Sequence, residues 1–236
     1  MARVTKPQRY QEILSLPNVT VLHHYFKNDF AAVRGKWNSV FQNDNPITLE
    51  LACGKGDYAL ALGNMHPDRN FIGIDIKGDR LWKGALTALQ QNQKNVHFLR
   101  ARIEHICNYF APSEVDEIWI TFPDPFEKTR KKRKRLTHPL FLQKYAEILK
   151  PDGIIHLKTD SDRLFEFTNK IINIYDLPVN KCYKDMCRVN DRKEEYNIQT
   201  YYERQHLEKG LSIKYVSFQL DPGNMDPDHP ALDDLD

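Results

Sequence analysis

Asp124 stands between Pro123 and Pro125, directly after the apolar run Ile118-Trp119-Ile120 and just before a run of cations. The apolar run reads as a buried strand. The prolines end it, because neither can donate a ladder hydrogen bond. Open α/β sheets hold their ligands at the carboxyl ends of strands, where such a fixed acid sits. From Lys128 to Arg135, seven of eight residues are Lys or Arg, and a run of this kind attracts polyphosphate. Residues 116–135 therefore predict chemistry at Asp124, delivered to a nucleic acid that Lys128–Arg135 grips.

A second group lies earlier in the chain. Glu50-Leu51-Ala52-Cys53-Gly54-Lys55-Gly56 follows one strand candidate and precedes a helix candidate. Gly54 and Gly56 permit a tight turn and close backbone approach to a ligand. Asp75, nineteen residues after Gly56, ends the next strand candidate, where an acid can hold the two hydroxyls of a ribose. Two chemistries fit. Gly54-x-Gly56-x-x-Ala59 matches the dinucleotide fingerprint, which implies NAD and hydride transfer. Glu50 before a glycine turn instead fits an S-adenosylmethionine loop, where an acid faces a cationic methionine group rather than a pyrophosphate. A glycine turn that binds nothing is the plain alternative to both.

The elements that must position these groups alternate. Strands are expected at Ile47–Ala52, Phe71–Ile76, Val96–Leu99, Ile118–Thr121 and Ile154–Leu157. Helices are expected at Asp57–Met65, Asp79–Gln91, Ile103–Phe110, Pro139–Leu149 and Asp162–Ile174, with Pro151 and Gly153 ending the fourth. Strands and helices at this spacing predict βαβ units and a doubly wound, Rossmann-like α/β fold. Tyr201–Lys209 reads as a helix stopped by Gly210. Leu211–Leu220 alternates as a final edge strand, and Asn180–Asn197 is polar and ambiguous. Residues 1–45 form an N-terminal extension, 46–220 one domain, and 221–236 a tail.

Composition sets bounds. The chain has 236 residues, 41% hydrophobic and 28% charged, enough to fold one large α/β domain with a true core. No apolar run reaches the length of a membrane span and no signal peptide opens the chain, so a cytoplasmic protein is expected. The net charge of +2 hides segregation: without the seven cations of 128–135 the rest carries −5. The last sixteen residues hold six Asp and no Lys or Arg, which predicts a disordered acidic end. Cys53, Cys107, Cys182 and Cys187 lack metal spacing and read as reduced thiols. His23 and His24 have no third ligand at motif spacing, so no metal is expected. Monomer and homodimer stay equally open.

The remaining length separates the two cofactor readings. A hydride-transfer enzyme needs a second mononucleotide-binding half, and too little chain remains for it plus a substrate domain. Asp-Pro after the fourth strand instead resembles the proline-flanked polar motif that nitrogen-methylating enzymes set beside the transferable methyl. Leu49–Gly56, Gly73-Ile74-Asp75, Phe122-Pro123-Asp124-Pro125-Phe126, Lys128, Lys134-Arg135-Leu136, Thr159-Asp160 and Thr200-x-Tyr202-Glu203 together resemble the bacterial tRNA (guanine-N7)-methyltransferase family. The resemblance runs from about Ile47 to Phe218.

That resemblance implies a class I methyltransferase fold, with a seven-stranded sheet whose last strand is antiparallel. It implies S-adenosylmethionine as methyl donor and a guanosine of the tRNA variable loop as substrate. By position, Glu50, Gly54, Asp75, Arg102 and Asp124 are implied at the cofactor, with Asp124 the active-site acid. Lys128, Asp160, Thr200, Tyr202 and Glu203 are implied at the tRNA guanosine. The chain departs from the family pattern at three places. Ala52 replaces the first glycine, Phe126 replaces Trp, and Arg102 stands where Asp or Asn is usual near the adenine. An RNA-binding protein that keeps the fold without activity, and an NAD enzyme, are the alternatives.

Overall fold

The computed structural model describes residues 4–22, 33–189, 194–208, 210–221, 225–233 and 235. His23 and His24 lie outside them, as does the side chain of Cys187. The chain divides into two compact units, 1–111 and 112–236.

The first unit holds β1 (Val19–Val21), β2 (Ile47–Leu51), β3 (Asn70–Asp75) and β4 (Val96–Arg100). They run parallel in the order β1-β4-β3-β2. Every residue of β2 and β3 is buried, as expected where helices cover both faces of a parallel sheet. Helices α1 (Lys6–Glu12), α2 (Trp37–Phe41), α3 (Asp57–Met65) and α4 (Gly78–Gln90) complete the unit, with a 3-10 segment at Ile103–Asn108.

The described residues of the N-terminal stretch pack into this unit. Ile13, Leu22, Val33 and Trp37 are buried. The Trp37 indole donates to the Tyr109 carbonyl at 3.0 Å and stacks on Phe110 with centroids 5.3 Å apart. Helix α1 opens with a capping box between Thr5 and Gln8, an arrangement that satisfies two orphan N–H groups. It is tied to α4 through Tyr10 to Asp79 at 3.3 Å and Trp82 to Glu12 at 2.8 Å.

The second unit holds β5 (Val115–Thr121), β6 (Leu149–Thr159), β7 (Val179–Tyr183) and β8 (Lys214–Gln219) in the order β5-β6-β8-β7. β5 and β6 are parallel, and β8 is antiparallel to both its neighbours. Helices α5 (Pro139–Ile148), α6 (Asp162–Ile174) and α7 (Tyr201–Glu208) belong to it. The α/β reading holds, with three adjustments. Among the described residues there are eight strands, not seven, because the short β1 adds one. The expected edge strand is interior, since β7 covers its outer side. Its inner neighbour β6 starts at Leu149, directly after α5, so Pro151 and Gly153 lie inside the strand rather than in a helix stop.

The described residues of segment 221–236 pack against the rest of the second unit. Met225, Leu232 and Leu235 are buried, and Pro230–Leu232 is a 3-10 turn. Tyr175 donates its hydroxyl to the Asp226 carbonyl, and Gln143 donates to that of Met225. Three apolar anchors outweigh the repulsion that the acidic composition suggests.

Candidate active site

In the first unit, β2 ends in a turn whose backbone is left-handed at three places: Ala52 (φ 55°), Gly54 (φ 58°) and Gly56 (φ 70°). Glycine adopts this region freely, whereas alanine strains there. The turn is fixed by two carboxylates. Glu50 is buried, and its Oε2 accepts the Ala59 N–H at 2.9 Å. Asp75, at the end of β3, accepts Gly54 N–H on Oδ2 at 2.9 Å and Lys77 N–H on Oδ1 at 2.8 Å. A carboxylate has about four lone-pair sites, so these bonds leave Asp75 capacity for a diol. A methyl group built on Gly54 would meet nothing within 4 Å, so open space lies beside Gly54, whereas one on Gly56 would run into the Phe98 ring.

The local field is negative. Burial first, and then the carboxylates of Glu50, Asp75 and Asp57, push the Cys53 thiol well above its ordinary value. A loop of this charge favours a cationic ligand and disfavours a pyrophosphate. Ile76, which directly follows Asp75, is 47% exposed; it offers an apolar face beside the acid that the sequence reading did not single out. Arg102 follows β4, is exposed, and its side chain makes no cap to the 3-10 segment it begins.

In the second unit, β5 runs out at Thr121 into the loop Phe122–Phe126. Phe122 and Phe126 both have positive φ, 48° and 45°, an uncommon state for bulky residues that needs outside support. Three contacts supply it. Phe122 N–H donates to the Lys158 carbonyl at 2.8 Å. Asp124 Oδ1 accepts the Phe126 N–H at 2.9 Å. Arg135 donates to the carbonyls of Pro125 (3.1 Å) and Phe126 (3.3 Å), with its guanidinium 4.5 Å from the Phe167 ring. The loop thus holds Asp124 exposed, in one place.

Arg135 is fully buried, so the cationic arm is not uniform. Lys128 precedes the 3-10 turn Thr129–Lys134 as its cap residue. Lys128, Arg130, Lys131 and Lys134 are exposed. Lys132 instead donates to the carbonyls of Leu232, Asp233 and Leu235 at 2.6, 3.1 and 3.2 Å. Arg133 pairs with Asp228 at 3.1 Å. Four of the seven cations, Lys128, Arg130, Lys131 and Lys134, thus stay exposed and outside these contacts with the 228–235 segment and the Asp124 loop.

Asp160 follows β6; its Oδ2 lies 3.3 Å from His206 Nδ1 on α7, and its carbonyl accepts Lys214. It does not cap α6, a role that Ser161 takes through Leu164 N–H. Thr200 and Glu203 come together at the start of α7, where the Thr200 hydroxyl accepts the Glu203 N–H at 3.1 Å. Glu203 is only 4% exposed, its carboxylate 2.8 Å from Lys158 Nζ. Both residues are buried in this structure. The sequence signal for this was Lys158 itself, a lysine inside the buried run Leu157–Thr159. Tyr202 lies on α7.

Residues 44–216 match the protein family described as "Putative methyltransferase". The chain is 45% identical over 223 residues to a tRNA (guanine-N(7)-)-methyltransferase of Bacteroides thetaiotaomicron, covering 91% of this chain and 85% of that one. It is 47% identical over 211 residues to a protein of the same name from Porphyromonas gingivalis, covering 84% of each. Among solved structures it resembles an antibiotic-related methyltransferase, with a TM-score of 0.59 at 16% identity, over 79% of this chain and 94% of that one. That likeness shows the fold alone.

Proposed function

This chain belongs to the family of tRNA (guanine-N(7)-)-methyltransferases, and from that premise we propose that it methylates N7 of a guanosine in the variable loop of tRNA. S-adenosylmethionine is the cofactor that the family uses, and the first-unit loop fits it. The negative field around Cys53 suits a cation, the spare lone pairs of Asp75 suit a ribose diol, and the open space over Gly54 leaves room. When bound, the cofactor supplies an electrophilic methyl group on a sulfonium.

Guanine N7 carries a lone pair and no proton, so the chain need provide no general base. Its task is to orient the purine and to favour positive charge arriving on it. Asp124 does both in this reading: it accepts from the donor edge of guanine and its carboxylate faces the ring as the charge develops, an effect that often dominates catalysis. In-line positioning supplies much of the rest. Lys128 and Asp160 flank the guanosine, and Phe126 offers an aromatic face to a base lifted from its stack. Arg130, Lys131 and Lys134 hold phosphates. Ile76 packs against the adenine, in place of a polar contact from Arg102. Such an enzyme acts in the cytoplasm, where its substrate is.

The observation that carries this reading is Asp124, held exposed by its bond to Phe126 N–H and followed at once by the basic turn. The test is incubation of the protein with unmodified tRNA and labelled methyl donor, then nucleoside analysis and fragment mapping. Label in 7-methylguanosine of a variable-loop fragment is expected. Label in another nucleoside, or none from a folded protein that binds the donor, would overturn the proposal.

A further inference from the structure

Lys158 lies on β6, between β5 and β8, paired in register with Thr121 and Tyr215. Its side chain is wholly inaccessible, and three oxygens lie within hydrogen-bond reach of its ammonium. They are the Glu203 carboxylate at 2.8 Å and the carbonyls of Tyr196 and Ile198, both at 3.0 Å. An ammonium has three donors, so all of them are engaged. Each partner belongs to the segment 196–203, which runs from the 3-10 turn Glu194–Asn197 through residues 198–200 into α7. The backbone of the same residue reaches the other way: its carbonyl accepts Phe122 N–H at 2.8 Å and so holds the first left-handed residue of the Asp124 loop.

We propose that Lys158 is a positioning residue that sets the Asp124 loop and the Thr200–Glu203 segment against each other for the methyl-transfer reaction. The inference rests on the tRNA reading above. Burying an ammonium and a carboxylate is expensive, and an apolar pair of similar volume often serves stability as well or better. Stability alone thus gives a weak reason for a buried ion pair. What an apolar pair cannot supply is direction: three donors on one nitrogen fix two carbonyls and a carboxylate at once. Phe122 and His206, with ring centroids 6.2 Å apart, show that the loop and α7 do meet. Glu203 takes part in this account as the anchor of α7.

The test uses the whole protein with unmodified tRNA. Lys158→Met alone leaves the Glu203 charge buried without its ammonium and is expected to fold poorly. The double variant Lys158→Met with Glu203→Leu removes both charges and keeps the volume. It is expected to melt near the wild type and to bind S-adenosylmethionine with unchanged affinity. Its kcat at saturating tRNA should fall on the order of 10- to 100-fold, the cost of an ångström-scale misplacement. A folded double variant with wild-type kcat would overturn the positioning role, as would a loss explained wholly by a smaller folded fraction. An inactive wild type would instead overturn the tRNA reading on which the role rests, so the two failures are distinct.

Discussion

Arg135 donates its Nε to the Pro125 carbonyl at 3.1 Å, from a side chain with no exposed surface. A cation from the end of a basic run thereby serves the loop that carries Asp124. Arg135→Met should destabilise the fold by about 1–3 kcal/mol, because it leaves two part-buried carbonyls without that donor. Methylation should fall with it, while the salt dependence of tRNA binding stays as in the wild type. Urea unfolding and salt titrations of tRNA binding check both parts.

The exposed cations should behave in the opposite way. Arg130, Lys131 and Lys134, all changed to Gln, should leave stability near that of the wild type. The slope of log affinity against log salt should flatten by roughly 0.7–0.9 for each phosphate no longer neutralised. Affinity for S-adenosylmethionine should not change, since that molecule carries no phosphate. A triple variant with the wild-type slope would show that the turn is merely a solvated face.

The contrast also shows what the sequence carried. Asp57–Met65 and Asp162–Ile174 were legible to the residue, because a glycine turn and Ser161 mark their starts and apolar spacing marks their length. The position of Asp124 was legible because prolines and a buried strand flank it. β7 was not, since its outer residues are exposed and no apolar alternation betrays a strand. β1, three residues long, is too short for a period to register. The burial of Arg135 and the anchoring of Lys132 depend on partners distant in sequence, Phe167 and Leu232. Within a run of identical charges no local pattern distinguishes them.

Asp75 organises the turn by accepting the Gly54 and Lys77 N–H groups. Asp75→Ala should weaken S-adenosylmethionine binding by about tenfold or more, since two backbone donors and the ribose diol all lose an acceptor. Binding of tRNA alone should be unaffected. Isothermal titration with each ligand separates these outcomes, and equal losses for both would assign Asp75 to general folding.

Acid should weaken the first unit through His97. Burial lowers this imidazole from its usual 6.5 to about 4. The ring lies beside Trp37 and Phe41 and bonds the Thr20 hydroxyl at 2.9 Å. Above pH 6.5 the group is neutral in both states and costs nothing. As pH falls from 6.5 towards 4, the unfolded chain takes up a proton that the folded chain refuses, so stability is lost. The loss is on the order of 2–3 kcal/mol by pH 4.5. Urea midpoints at pH 7 and 4.5 should differ more for the wild type than for His97→Gln.

The role of Asp124 meets its most direct test in single-turnover methylation of tRNA by Asp124→Asn, with donor and tRNA both saturating. The substitution keeps the shape and the acceptor for Phe126 N–H while removing the charge beside the guanine. The rate should fall by roughly 100-fold or more, the scale seen when one preorganised electrostatic partner is lost, with both ligands still bound as by the wild type. A single-turnover rate within about threefold of the wild type, less than 1 kcal/mol in barrier height, would contradict the account and remove Asp124 from the chemistry.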